Sequence, residues 1–470
     1  MRPPSVRFCG NRHYNFHQDL TMRCIYLLAF FSSLFLLLFQ APAYGTSVGR
    51  TAYYAHMPFR ETPFADLRGI YPITAKQAEH HKHFKFLYDA KDRPVEVSFR
   101  IGDEPQSLNI SSNALTFTPV IRIRYEDGKE IRTFFDRFMN PTLANGVFRE
   151  EYVLDEDGNR ASVRFYDVED QRVESDWDIY AYEWWVDKRG TVTETRSDRH
   201  GEPVSIRPHF PFYCLKLHYD QRGLLALMEN YGKTCEKLTL NHMNAAQDKL
   251  QYNARGGIYA WNVYNTQERR SVGNGPMVAR GIMERDLFGH TTREYYEDAD
   301  GRIMTNAYGW TNSYATFDEF GNMVGRFNHD ADGRRINNPR LRYSGYVLVF
   351  DDSGKHRKSL TYQNADGSPA THLTRGYHSV KTEYDDAGNR VRTRFEDASG
   401  NLTQHKQYCA AVFEYSYDNG NRRISLRLFD ENMMPAHHCD EGWHEKTYHY
   451  HPKGPLSHTE ARPGIPVMAP

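Results

Sequence analysis

Cys409 and Cys439 stand 30 residues apart near the end of this chain, and Cys214 and Cys235 lie nearer its middle. Thiols so placed either oxidise in pairs or hold a soft metal as thiolates. Around Cys439 the sequence gathers His437, His438, Asp440, His444, His449 and His451, side chains that suit zinc or copper. Two features oppose a metal here. His449 and His451 flank Tyr450 in a strand-like run and should both point outward, and Cys439 has a rival partner in Cys409. A Cys409–Cys439 disulfide is therefore favoured and no metal site is assigned. Cys214 and Cys235 are expected to form the second bond, on the weaker ground of an even cysteine count. His80, His81 and His83 read as a solvated helix face.

Asp-x-Asp-Gly occurs at 155–158, 298–301 and 330–333. Alternate carboxylates followed by glycine begin like calcium loops, but none has Glu at the twelfth position. Asp157 and Asp300 also sit where a hairpin turn wants Asp, so structural turns are favoured and no cofactor is expected. Gly-x-Ser-x-Gly, His-Glu-x-x-His and P-loop signatures are all missing, so no catalytic residue is assigned. Trp184, Trp185, Trp310 and Trp443 are candidate sugar-stacking platforms, with Trp177 and Trp261 as further indoles; ordinary packing is the alternative.

What would position these residues is a repeat. An aromatic-Asp-x-x-Gly pattern appears at Phe317-Asp318…Gly321, Phe350-Asp351…Gly354 and Tyr384-Asp385…Gly388. It continues at Tyr417-Asp418 with Gly420, and at Tyr450 with Gly454. Earlier copies stand at Tyr88, Leu154, Val186, Tyr219, Tyr252 and Arg285, with a shifted one at Tyr125. From 88 to 450 is eleven periods of about 33 residues, the mark of a repeat array.

Each period reads as a hairpin plus a connector. Val391, Thr393 and Phe395 alternate with Arg390, Arg392 and Arg394, and Ile424, Leu426 and Leu428 alternate with Ser425 and Arg427. Period two is the pattern of a half-buried strand. The Asp of the turn caps backbone N–H groups, and the Gly takes the position of positive φ. On this grammar Asp318, Gly321, Asp351, Gly354, Asp385, Gly388, Asp418 and Gly420 are structural turn residues. A second turn often follows, as in Asn364-Ala365-Asp366-Gly367, and a turn residue such as Gly146, Asn244, Gly309, Gly376 or Gly442 precedes the aromatic by eight.

The run Tyr384-Asp385-Asp386-Ala387-Gly388-Asn389-Arg390, like Tyr417-Asp418-Asn419-Gly420-Asn421-Arg422, resembles the YD repeats of bacterial RHS-type and wall-associated exported proteins. The resemblance spans roughly 86–454 and is clearest over 295–430. It implies spirally wound β-sheet shells or arrays, some of which bind carbohydrate and some of which enclose a C-terminal toxin. Units here are 33 residues rather than about twenty, and 16 residues follow Gly454. The shell is therefore the expectation carried forward, and the toxin role is not.

The ends differ from the array. Residues 24–39 form a short uncharged apolar run, preceded by Arg23 and followed by Ala41-Pro42-Ala43. That is the form of a secretory signal peptide, with an uncleaved anchor as the alternative. Met22 is a plausible start, which would leave 1–21 untranslated. Residues 44–85 are expected to cap the first unit, with a short helix within Thr74 to His83. Residues 455–470 read as a Pro-rich tail. Within the array, 224–284 keep phase but look irregular, and Leu238 to Leu250 fit a helix.

Composition narrows the function. The 470 residues carry 59 Lys+Arg against 60 Asp+Glu, with 14% aromatics. Removing 1–43 takes away four Arg and Asp19, leaving 55 basic against 59 acidic residues. Such a balance argues against nucleic acid as a partner, and 32 Tyr with 27 Phe supply a core that a disordered chain lacks. The expectation is an all-β, elongated array of about eleven hairpin units, periplasmic or extracellular, touching membrane through its signal segment alone. Its function is expected to be non-enzymatic: a binding or surface-structural module for a glycan or an envelope protein. The alternatives are an exported enzyme on cell-envelope polymer, its site in 224–284, and an accessory or immunity-like partner of a secretion system.

Overall fold

Alternating strands joined by identical tight turns leave one natural product, a meander, and the computed structural model shows one. It describes residues 49–108, 115–208 and 210–463, so the segment expected to be a signal peptide lies outside the described residues. The chain opens with β1 (Arg50–His56) and β2 (Ile70–Ile73), then a four-residue helix, α1 (Ala75–Ala78). Next come β3 (His83–Tyr88), β4 (Pro94–Ile101), the short β5 (Glu104–Pro105), β6 (Val120–Glu126) and β7 (Lys129–Phe135). The middle hairpins are β8 (Arg149–Leu154) with β9 (Arg160–Tyr166), β10 (Ala181–Val186) with β11 (Val192–Ser197), and β12 (Leu215–Tyr219) with β13 (Leu225–Asn230). They continue as β14 (Gln247–Tyr252) with β15 (Ile258–Tyr264), β16 (Arg280–Arg285) with β17 (Thr291–Glu297), and β18 (Asn312–Phe317) with β19 (Met323–His329). The last are β20 (Gly345–Phe350) with β21 (Arg357–Gln363), β22 (Ser379–Tyr384) with β23 (Arg390–Glu396), β24 (Val412–Tyr417) with β25 (Arg423–Phe429), and β26 (Trp443–Tyr450) with β27 (Leu456–Pro463). All belong to one 27-stranded antiparallel sheet.

Most tips are built alike. At Asp385 the Oδ1 accepts the Asn389 N–H at 2.7 Å, the Gly388 N–H reaches the Asp385 carbonyl, and Gly388 has φ +75°. The pairing register shifts between Glu383 and Tyr384. This is a type I turn closed by a left-handed residue that forms a bulge. One expected turn residue needs correction. In the Asp418 turn the left-handed position three after Asp is held by Asn421 at φ +60°, not by Gly420, which stands one place early. Asn tolerates that conformation because its short amide bonds locally.

The repeated aromatic has a second task. Tyr384, Tyr417 and Tyr450 each donate their hydroxyl to a carbonyl 27 residues earlier, on Arg357, Arg390 and Arg423, at 2.9–3.0 Å. Tyr252 does the same to Leu225 at 2.8 Å, and Arg285 substitutes its Nε toward Ile258 at 2.8 Å. These five hairpins are thus stitched to the ones before them, which Phe317 and Phe350 at the equivalent positions cannot do.

The sheet coils back on its own beginning. Lys82 N–H donates to Phe320 O at 2.9 Å, Arg137 Nη2 to Ala387 O at 3.0 Å and Asn140 Nδ2 to Gly420 O at 2.8 Å. Residues 57–82 run across successive tips as a strap: Arg68 meets Gly223, Ile70 meets Gly256, Tyr71 meets Gly289 and His81 meets Gly321. The segment expected only to cap the array therefore also supplies a sheet strand, since β1 pairs with β3. His81 and His83 are 4% and 0% exposed, so they are core residues and not a solvated helix face.

Two further expectations are corrected. Leu238 to Leu250 form no helix, because Asn241 Oδ1 caps a turn at Met243 and Ala245 before β14 begins. Leu456–Pro463 is a paired strand rather than tail, and 464–470 lie outside the described residues.

The inner face carries two apolar clusters, one drawn from Met57 to Val263 and one from Tyr343 to Trp443. Thr393 and Phe395 are buried as the alternation requires, as are Leu426 and Leu428, while Ile424 is exposed. Burying a side chain the size of Phe395 contributes roughly 1.5–3 kcal/mol.

Candidate functional site

Connectors form a ladder of their own along one edge. Lys406 N–H donates to Arg375 O, Ala307 N–H to Pro276 O, and Asn274 N–H to Met243 O. This stacking brings Cys409 and Cys439 together as a disulfide with Cα atoms 5.3 Å apart. Cys214 and Cys235 are also bonded, across the base of the β12–β13 hairpin. The sequence carried a further signal along this edge that the aromatic-Asp pattern hides: Asn274, Asn306, Asn338, His372, His405 and His438 recur every 32 to 34 residues. Asn306 and Asn338 cap connector turns, and His405 Nδ1 accepts the Gln407 N–H at 3.2 Å. Burial, with Arg375 nearby, pulls the His405 imidazole down to about 4, so it packs as a neutral ring. His438 likewise accepts the Asp440 and Glu441 N–H groups at Nδ1 and stacks on Trp443.

The tryptophans separate by burial. Trp184 is 3% exposed, stacked near Tyr152 and Tyr182 with its indole N–H on Glu194, and Trp443 is 3% exposed. Neither presents a free ring face for stacking on a sugar. Trp310 is half-buried against Tyr296, and Trp185 is 56% exposed.

Two cavities open on the concave side. The first, about 600 Å³, lies where the tips of the last four hairpins meet the Asp136–Thr142 turn. Its aromatic wall is Tyr384, Tyr415, Tyr417 and Tyr450, and its cations include Lys82, Arg137, Arg390 and Arg423. Arg390 and Arg423 flank one ring, with guanidinium carbons 5.8 and 6.0 Å from the Tyr415 centroid, and Arg423 lies 4.0 Å from the Tyr448 centroid. Among the described residues neither arginine has a carboxylate partner. Lys355 is paired with Glu104 and Arg422 with Asp418. Burial draws the Lys82 ammonium down to about 8 against the pull of Asp318 and Asp351. Of the lining side chains only Asp136 is acidic, and it is occupied by Phe138 and Asn140 N–H groups.

The second cavity, about 900 Å³, borders the first apolar cluster, whose Met57, Phe210, Met228, Leu250 and Ile258 line it. Its wall includes Met228, Trp261, Met283, Phe317 and the Glu294–Arg326 pair at 2.9 Å. Two further carboxyls reach it. Glu61 is ion-paired to Arg207 at 2.6 Å, and Asp248 accepts from Asn274 Nδ2 at 2.7 Å. Burial pushes the Asp248 carboxyl up to about 7, with Glu61 adding to the rise.

No protein-family profile and no curated protein matches the chain. Among solved structures it is similar to TcdB2-TccC3-TEV, at 11% identity and a TM-score of 0.29, over 83% of this chain and 19% of that one. The Photorhabdus luminescens Tc holotoxin pore gives 9% identity and a TM-score of 0.23, over 88% of this chain and 26% of that one. A porin-like protein from Bacteroides uniformis gives 8% and 0.16, over 81% and 95%. At these scores none of the three carries an argument about the chain.

Proposed function

We propose that the protein is an exported, non-enzymatic β-repeat module that binds a glycan bearing acidic groups in the tyrosine–arginine cleft. The observation that carries this reading is the pair of guanidiniums, Arg390 and Arg423, flanking Tyr415 without carboxylate partners. Guanidinium forks suit carboxylate or sulfate oxygens, and tyrosine faces suit sugar rings. Arg390 and Arg423 begin strands two places apart in the sheet, about 9.6 Å at ordinary strand spacing. That repeat suits an extended polymer with one acidic group on alternate sugars. Binding of acidic and neutral glycans should be compared on the mature chain. Acidic glycans should be retained, and Arg390→Ala with Arg423→Ala should weaken them at least about tenfold, since each charge-assisted bond is worth roughly 1.5–3 kcal/mol. Equal retention of neutral glycans, or an unaffected double variant, would overturn the reading. Export is tested by N-terminal sequencing, which should begin near Tyr44 to Ser47.

A second reading is favoured by one observation, the Asp248 carboxyl near 7 in the larger cavity. A protonated acid there could donate to a leaving group, with the Glu61 carboxyl in the same cavity. Under this reading Asp248→Asn abolishes hydrolysis of an envelope polymer. Under the first it leaves glycan retention unchanged.

A further inference from the structure

We propose that His449, His458 and Glu460 form a surface site for Zn²⁺ that joins the last two strands of the array. The argument begins with register. His449 of β26 stands directly opposite His458 of β27, and Glu460 lies two residues on, along the same face. The two imidazoles stack at 4.5 Å with planes 9° apart. His449 Nε2 lies 3.6 Å from Glu460 Oε2, and His458 Nε2 lies 3.6 Å from Oε1. All three ligand atoms fall within 4.8 Å of one another.

Those distances are too long for hydrogen bonds. They do match neighbouring ligands around a zinc ion, which roughly 2.0–2.2 Å bonds in a tetrahedron place about 3.3–3.5 Å apart. The remaining contraction is a few tenths of an ångström for most of the set, in side chains 44%, 57% and 59% exposed and so free to adjust. Zn²⁺ favours imidazole nitrogen with carboxylate oxygen, and three protein ligands leave a fourth position for water.

The surroundings hold the set in place. His458 Nδ1 lies 3.3 Å from Ser457 Oγ, which directs Nε2 toward Glu460. Arg462, the nearest cation along the strand, is engaged by Glu445 at 3.4 Å and does not neutralise Glu460. The position in the array gives the ion a task. Among the described residues β27 pairs with β26 alone, so within the sheet it has a strand neighbour on one side, and a cross-strand ion would pin it.

The test is calorimetric titration of the untagged full chain with Zn²⁺ after chelator treatment. One saturable equivalent is expected. His449→Ala with His458→Ala should weaken it at least about tenfold, since even outer-shell changes cost that much. Glu460→Gln should weaken it too, and His200→Ala, at an exposed histidine elsewhere, should not. Far-UV circular dichroism checks that the variants fold. Independently, Zn²⁺ should slow amide exchange in residues 456–463 of the parent chain and not of the double variant. Absence of saturable binding, or binding that persists undiminished in the double variant, would overturn the proposal.

Discussion

Replacing Gly388 by Val should destabilise the protein in two separable ways. Gly388 has φ +75°, where a β-branched residue is strained by about 1–3 kcal/mol. It is also crowded: a Cβ there would lie 2.3 Å from His356 Nε2 and 3.1 Å from Arg137 Nη1. His356 cannot simply retreat, because its Nδ1 is tied to Asp351 Oδ2 at 2.7 Å. Displacing it costs that contact, roughly 1.5–3 kcal/mol for a bond to a charged group. Gly400 supplies the control, with φ +86° and nothing within 4 Å of its Cβ position. Urea unfolding should therefore show Gly400→Val losing about 1–3 kcal/mol and Gly388→Val losing a further ~1.5–3 kcal/mol. The assay reads midpoint and slope together, since an array can unfold in parts. A neutral Gly400→Val would refute the strain argument. Equal losses in the two variants would refute the locked-histidine argument.

Three further outcomes are expected. Cys409→Ser with Cys439→Ser should cost the C-terminal units about 3–4 kcal/mol on the chain-entropy account, read as faster amide exchange in β24 to β27 with earlier hairpins unchanged. Tyr417→Phe removes the 2.9 Å bond to the solvent-exposed Arg390 carbonyl and should cost about 0.5–1.5 kcal/mol in urea unfolding, whereas Phe317→Tyr tests whether a stitch can be added. Acid should weaken the fold in two steps. Burial alone would raise the Glu130 carboxyl, but the Arg132 and Arg160 guanidiniums overcome it and hold it near 2, below its ordinary 4.5. A depressed acid stabilises above its unfolded value and loses that support as pH falls from about 4.5 through 2. His405, held near 4 by burial and Arg375, takes up a proton more readily in the unfolded chain, so stability falls as pH drops from about 6.5 to 4. Stability measured from pH 7 to pH 2 should fall first through the His405 step and then through the Glu130 step, and Glu130→Gln should flatten the second.

How much was legible in the sequence follows from which interactions are local. The Asp-x-x-Gly turn, its alternating flanks and the 33-residue step concern residues a few positions apart, so each copy states them again. Connector stacking follows from the step, and with it the Cys409–Cys439 bond. Where the local rule has two solutions the reading slipped: Asn421 served as well as Gly420 for positive φ. Likewise the apolar spacing of Leu238 to Leu250 suits a helix until Asn241 closes a turn. Pro455 and Pro463 hid β27, because they stand just before it and at its last residue and leave the strand between them free to pair.

Coiling belongs to the tertiary structure alone. The twist that carries Ala387 to Arg137, 250 residues earlier in the chain, sums small rotations over many strands and leaves no mark at any one position. The cleft around Tyr415, the raised Asp248 and the meeting of His449 with His458 and Glu460 all depend on long-range curvature, depth of burial or exact cross-strand register. Sequence alone determined the unit and its period, because hairpin energetics are local. Tertiary structure decided which charged groups lie unpaired in a cavity, because burial and electrostatic neighbourhood are set by segments far apart in the chain.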